Sequence, residues 1–264
     1  MDKQPTQFND RAALIAHVKT LSPGLGDETA SVIEGGRAAG EALLAAIDPA
    51  AYGSSRNFLD GAVTRLSPYI RHGIVTLNEV RNRALEMGDA KLIEKFIQEL
   101  GWRDFWQRIY AQNPDWIWHD IEAYKTGFST DDYADTLPDD IGDGETDSAA
   151  MNHFITELKT SGYLHNHARM YLAAYIVHWR RVKWQAGARW MLYQLLDGDP
   201  ASNNLSWQWI ASTFSNKPYI FNLENVARYC GPDINIIPRH NLALDQSYER
   251  LTDMLFPHRG GPYG

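Results

Sequence analysis

The chain has 264 residues, 44% hydrophobic and 22% charged, with 33 acidic and 25 basic side chains for a net charge of −8. That balance is ordinary for a soluble globular protein long enough to bury a substantial core, and no apolar run approaches the roughly 20 residues a membrane helix needs. Its one cysteine, Cys230, excludes an intrachain disulfide, CxxC zinc sites and cysteine-only iron–sulfur clusters.

The first residues, MDKQPTQFND, carry no apolar signal region, which predicts a cytoplasmic protein. GGRAAGEALLAAID (35–48) is alanine-rich, ends in Asp-Pro and reads as a helix. GDAKLIEKFIQELGWRDFWQRIY (88–110) carries a core stripe of Ile93, Phe96, Ile97 and Leu100. Residues 119–147 hold ten acids against one base, Lys125, so the remainder of the chain is near neutral and a local basic groove is allowed. This acidic window, with Gly and Pro and little periodicity, is predicted to be a long surface loop. A calcium-loop register starting at Asp139 puts Ile141 at the third ligand position and Ala150 at the twelfth, so it fails. In MNHFITELKTSG, Met151, Phe154, Ile155 and Leu158 recur at helical spacing and Gly162 is the stop. HARMYLAAYIVHWRRV and GARWMLYQLL are further amphipathic helices, and the end of the chain, from about residue 225, reads as an irregular extended tail. No period-two alternation, internal repeat, GxGxxG, GxxxxGK[ST] or GxSxG is found. The predicted fold is a single all-α domain over 1–264.

Three places carry chemistry beyond a core pattern. Glu99, Trp102, Arg103 and Trp106 fall at i, i+3, i+4, i+7 and share a second face of the 88–110 helix. Either that face walls a cavity, or Glu99 and Arg103 pair on the surface with the indoles packed beneath a loop. Asn166, Arg169 and Met170 likewise share a face, while His165 and His167, two apart, do not point together and predict no metal site. In DGDPASNNLSWQWIAS (197–212), Trp207 and Trp209 point about 200° apart on a helix, so one can face a pocket and the other the interior.

These blocks carry a resemblance. YGSSRNFLDGAVTRLSPYIRHG, ELGWRDFW, SGYLHNHARM and DGDPASNNLSWQWIAS, in that order, resemble the FAD-binding helical domain of DNA photolyases and cryptochromes over roughly residues 50–222. The family's N-terminal α/β antenna domain has no counterpart, and the stretch after about residue 225 diverges. The resemblance implies FAD as cofactor, damaged DNA as substrate with a pyrimidine dimer flipped out or presented on a single strand, no membrane, and room for a separate protein partner in place of the antenna domain. It implies that Tyr52 and Arg56 lie beside the flavin pocket, that Thr64, Arg65, Leu66 and Ser67 hold the phosphates, and that Arg103, Arg169, Asp197, Asp199, Asn166 and Asn203 line the flavin. Val63 departs from the family's threonine there, and His167 from its frequent DNA-contacting arginine. Glu99, Trp102, Asn166, Met170 and Trp209 match the lesion pocket, and Trp207 and Trp184 the first two electron donors. The third donor position falls near Asp131, where no tryptophan stands; Trp190, Tyr193, Trp179 and Trp118 are the candidate substitutes. The expected activity is light-driven splitting of cyclobutane pyrimidine dimers. The alternatives are a cryptochrome-type photoreceptor and a light-independent flavoprotein or partner subunit that kept the fold.

Overall fold

The computed structural model describes residues 4–21 and 30–258. Among these, thirteen α-helices follow one another: α1 Arg11–Leu21, α2 Arg37–Ala45, α3 Pro49–Ser55, α4 Ser67–Arg71, α5 Leu77–Met87, α6 Ala90–Gln112, α7 Asp139–Asp143, α8 Ala149–Ser161, α9 Asn166–Ala174, α10 Trp184–Gln194, α11 Pro200–Ala211, α12 Leu223–Tyr229 and α13 Tyr248–Leu255. The described residues form no sheet, only an isolated parallel bridge between Ala134 and Val182. The all-α expectation therefore holds.

Local chemistry sets the helix limits. A Thr76–Glu79 capping box starts α5. Gly162, at φ 69°, ends α8 in the left-handed conformation that glycine adopts without penalty. α9 continues into a π-turn over Tyr175–Trp179, and Arg181 follows at φ 51°.

Two main apolar clusters and a small third one near the end of the chain result. The larger joins α8, α9, α10 and α11 through Met151, Phe154, Leu158, Tyr171, Leu172, Trp184, Met191 and Trp207. The smaller joins α4, α5 and α6 through Leu66, Tyr69, Val80, Ala84 and Phe96. α3 packs along α6, and α11 touches α6, α9 and α10, so one helix bridges both halves.

One expectation needs refinement and one correction. The acidic window is irregular and largely exposed or half-buried, but it is not wholly a surface loop. Tyr124, Thr126, Tyr133 and Ile141 within it are buried, its acids concentrate on the outer side, and it contains α7. Charge counted along the chain hid the apolar residues between the acids. The end of the chain is not an extended tail either. It forms α12 and α13, and Leu251, Leu255 and Phe256 bury against Ile220, while Arg181 donates to the Leu255 carbonyl. The final residues, 259–264, lie outside the described residues.

Candidate active site

The N-terminal side of the site grows from α3. Asp48 caps it by accepting from the Ala51 N–H at 2.9 Å, and Pro49 occupies the first turn, where no N–H is needed. Tyr52 then meets Phe96 edge-on at 5.1 Å, and burial pushes its phenol up to about 12. Arg56 reaches Glu99 on α6 at 3.6 Å, and Glu99 also takes Lys95 at 2.7 Å. The Glu99–Arg103 pair considered from the sequence does not form.

After α3 the chain turns sharply. A Cβ at Gly61 would lie 2.0 Å from the Ser55 carbonyl oxygen, so only glycine fits. Thr64 Oγ1 accepts from the Leu66 N–H at 3.3 Å. Arg65 sits at φ 52°, a sparsely populated conformation for a side-chain-bearing residue and a form of stored strain. Leu66 is buried, and Ser67 opens α4. The Arg65 guanidinium lies 5.6 Å from the Tyr163 ring centre, and that of Arg169 lies 5.5 Å from the same ring. Tyr163, which the sequence did not single out, thus ties the 64–67 turn to α9.

Arg169 anchors the centre. Its Nε donates to the Leu164 carbonyl at 2.7 Å and its Nη2 to Asp197 Oδ2 at 2.8 Å. Asp197 is buried, and its other oxygen, Oδ1, has no hydrogen-bond partner. A buried carboxylate oxygen without a donor costs free energy on the kcal/mol scale unless a ligand supplies one. Asp199 caps α11, accepting from Ser202 N–H and Oγ and from Gln107 Nε2 at 2.6 Å. Burial alone would raise its carboxyl, yet the Ser202 hydroxyl, the Gln107 amide and nearby Arg103 bring it below the ordinary range.

Arg103 is half-buried and makes no side-chain hydrogen bond or ion pair among the described residues. Burial lowers its pKa, opposed by the fields of Asp199 and Asp197. It faces a cavity of about 360 Å³ with Gln107, Asp199, Arg71 and Thr76. Arg71 donates to the Gly198 carbonyl at 2.6 Å and His72 contacts the Leu196 carbonyl at 2.9 Å, so the end of α4 clasps the turn that carries Asp197 and Asp199. Gln107 could have been read from its i+4 spacing to Arg103.

On α11 the two tryptophans separate as their 200° offset requires: Trp207 is 2% exposed and Trp209 is 42% exposed. Asn203 donates to the Ala188 carbonyl and to Asn204 Oδ1, which fixes its amide against α10. Trp184 is fully buried, and its indole N–H donates to Asp120 Oδ1 at 2.6 Å. On the outer rim, Trp102 is 51% exposed and stacks on Trp106 at 5.7 Å. Asn166 lies at the start of α9 with its amide 3.7 Å from Met170 Sδ. Of the helices that carry the expected residues, α3 packs on α6, and α11 touches both α6 and α9. His165 caps α9 by accepting the His167 N–H at 3.0 Å; no group of three or more metal-ligating side chains occurs among the described residues. No helix there is long and apolar enough to cross a membrane.

An all-α domain with an unpaired guanidinium facing a cavity, an orphaned buried carboxylate oxygen and a strained hydroxyl-bearing turn has polar groups suited to a large polar cofactor. The comparisons state which. Residues 96–246 match the family model of the FAD-binding domain of DNA photolyase, and the chain belongs to that family. The match runs past residue 222, where the sequence resemblance was drawn. A deoxyribodipyrimidine photo-lyase of Streptomyces griseus is 35% identical over 200 residues, covering 74% of this chain and 42% of the relative. That of Halobacterium salinarum is 29% identical, covering 81% and 47%. The chain therefore spans less than half the length of these relatives. Among solved structures, a photolyase from Sulfolobus tokodaii with two FAD molecules superposes with TM-score 0.67 at 23% identity, over 86% of this chain and 56% of that one. A Synechocystis cryptochrome gives TM-score 0.69 at 20% identity, over 86% and 52%. These structural likenesses establish the fold.

Proposed function

We propose that this chain binds FAD and uses light to split cyclobutane pyrimidine dimers in DNA. The observation that carries the reading is a set of polar groups left without partners together with exposed indoles on α6 and α11. Arg103 faces the cavity without a partner, Asp197 Oδ1 is buried without one, and Trp102, beside Arg103 on α6, and Trp209 on α11 stand exposed. Exposed indoles offer flat faces on which nucleic-acid bases can stack.

FAD, when bound and reduced, supplies the photoexcited electron that opens the cyclobutane ring and then recovers it. The protein's own residues do the rest. Thr64, Arg65, Leu66 and Ser67 hold the pyrophosphate, and Tyr52 and Arg56 close that side. Arg169, Asp197, Asp199, Asn203 and Arg103 hydrogen-bond the polar edges of the cofactor. Trp102 and Trp209 stack on the flipped pyrimidines, a lesion that already stacks poorly and so costs less to extrude. Glu99 and Asn166 bond the base edges and Met170 packs beside them. Trp207, then Trp184, return the cofactor to its reduced form by donating electrons inward. A single-stranded lesion and a separate protein partner belong to this proposal as well.

The test is repair of an oligonucleotide bearing one dimer, incubated with the reduced, FAD-loaded protein in light and in darkness. Light-dependent loss of dimer that is abolished in Glu99→Ala supports the reading. Flavin that bleaches in light while the dimer persists points to a photoreceptor instead.

A further inference from the structure

The family-like donor path runs out at Trp184, and the structure shows why it can stop there. Asp120 Oδ1 accepts the Trp184 indole N–H at 2.6 Å and the Gln185 amide at 3.0 Å, and its Oδ2 takes the Thr130 hydroxyl at 3.2 Å. A buried indole N–H needs an acceptor, which a neutral carbonyl could supply; a carboxylate in that place can also keep the proton. An oxidised indole is a strong N–H acid, and a hydrogen-bonded carboxylate is the group that can take its proton.

We propose that Asp120 accepts the indole proton of Trp184 when Trp184 is oxidised, so that the electron vacancy comes to rest on this residue. One electron leaves the Trp184 ring for oxidised Trp207, which has itself given one to light-excited oxidised flavin. The Nε1–H bond breaks, the proton passes to Asp120 Oδ1, and a neutral indolyl radical and a neutral carboxylic acid remain. The vacancy can no longer return without recovering the proton. The inference rests on the light-driven reading above.

The other candidates lack this chemistry. The Arg189 guanidinium lies 4.9 Å from the Trp118 ring centre and opposes a positive charge there. The Trp179 indole donates to the Ala243 carbonyl at 2.9 Å, which cannot keep a proton. Trp190 packs against the core with no carboxylate on its indole. Tyr193 lies largely in solvent at the outer side of α10. Tyr124 stacks on Tyr133 at 4.4 Å, but the Tyr124 hydroxyl has no acceptor and that of Tyr133 meets the Thr126 hydroxyl and the Arg181 guanidinium, neither of which keeps a proton.

The test compares wild type, Asp120→Asn, Asp120→Glu and Trp184→Phe as full chains. Ultraviolet resonance Raman on the FAD-free protein reads the Trp184 indole hydrogen bond directly, and Asp120→Asn should weaken it. A blue flash on FAD-loaded protein should leave a neutral tryptophan radical in wild type and in Asp120→Glu. Asp120→Asn should show a radical cation, with flavin photoreduction falling about 10²-fold, the lower end of the scale of a lost proton acceptor. The same neutral radical at the same yield in Asp120→Asn, or an undiminished long-lived radical in Trp184→Phe, overturns the proposal. If blue light yields no radical in any form, the light-driven reading has failed, and oxidation of the FAD-free protein by a photoexcited ruthenium complex decides the Asp120 question alone.

Discussion

Gly187 stands where α10 meets α11. A Cβ built on it would lie 2.4 Å from two ring carbons of Trp207 and 3.1 Å from Ile176 Cγ2. Ordinary carbon contacts lie at about 3.5–4.0 Å, so Gly187→Ala demands a shift of more than an ångström from a 2%-exposed indole. Two effects compete. Alanine is the better helix former by about 1 kcal/mol, which alone would stabilise the variant. Overpacking a rigid core costs about 1–3 kcal/mol, and here the contact is with the rigid end of an indole, so the upper part of that range applies. The net expectation is a loss of about 1–2 kcal/mol, together with a tilted Trp207 and slower flavin photoreduction. Urea unfolding followed by circular dichroism measures the first, and flash photolysis the second. A Gly187→Ala protein stabilised by about 1 kcal/mol would mean that helix propensity won and that α10 and α11 do not close on Trp207 as described.

Further outcomes follow from the same contacts. Asp199→Ala removes the cap of α11 and the partner of Gln107, and should cost about 1–2 kcal/mol in urea unfolding while weakening FAD binding measured by fluorescence titration. Asp197→Asn leaves Arg169 partly buried without its counter-charge; it should cost up to about 3–5 kcal/mol and abolish FAD retention on gel filtration. Burial lowers His165 to about 4 and His178 to about 3. The unfolded chain therefore binds more protons than the folded one below the ordinary histidine range, and stability should fall as pH drops from about 6.5 towards those values, by up to about 1.4 kcal/mol per pH unit for each histidine. A His178→Gln protein should show a shallower acid dependence in thermal melts between pH 6 and 4.

Much of this site was legible in the sequence because its parts sit on helices whose 3.6 period is strict. Trp207 and Trp209 must diverge, and Gly162 must end α8 where it does. The partners were not legible, since they come from remote segments. Glu99 turned to Arg56 and Lys95 rather than to Arg103 on its own helix, and Tyr163 joined two arginines that the sequence separates by a hundred positions. Asp120 was hidden among ten acids of the 119–147 window, where net charge suggested solvent while Tyr124 and Tyr133 carried the segment into the core. α13 was missed because flanking prolines and glycines outweighed the i, i+4 pair Leu251 and Leu255.

The central claim, a light-driven repair flavoprotein, is tested most directly by loading the protein with FAD, reducing it, and following a dimer-containing oligonucleotide under blue light. The expected result is loss of dimer in the light, none in the dark, and none in Glu99→Ala. A protein that takes up no FAD, or that holds reduced FAD and leaves the dimer intact in light, would contradict it.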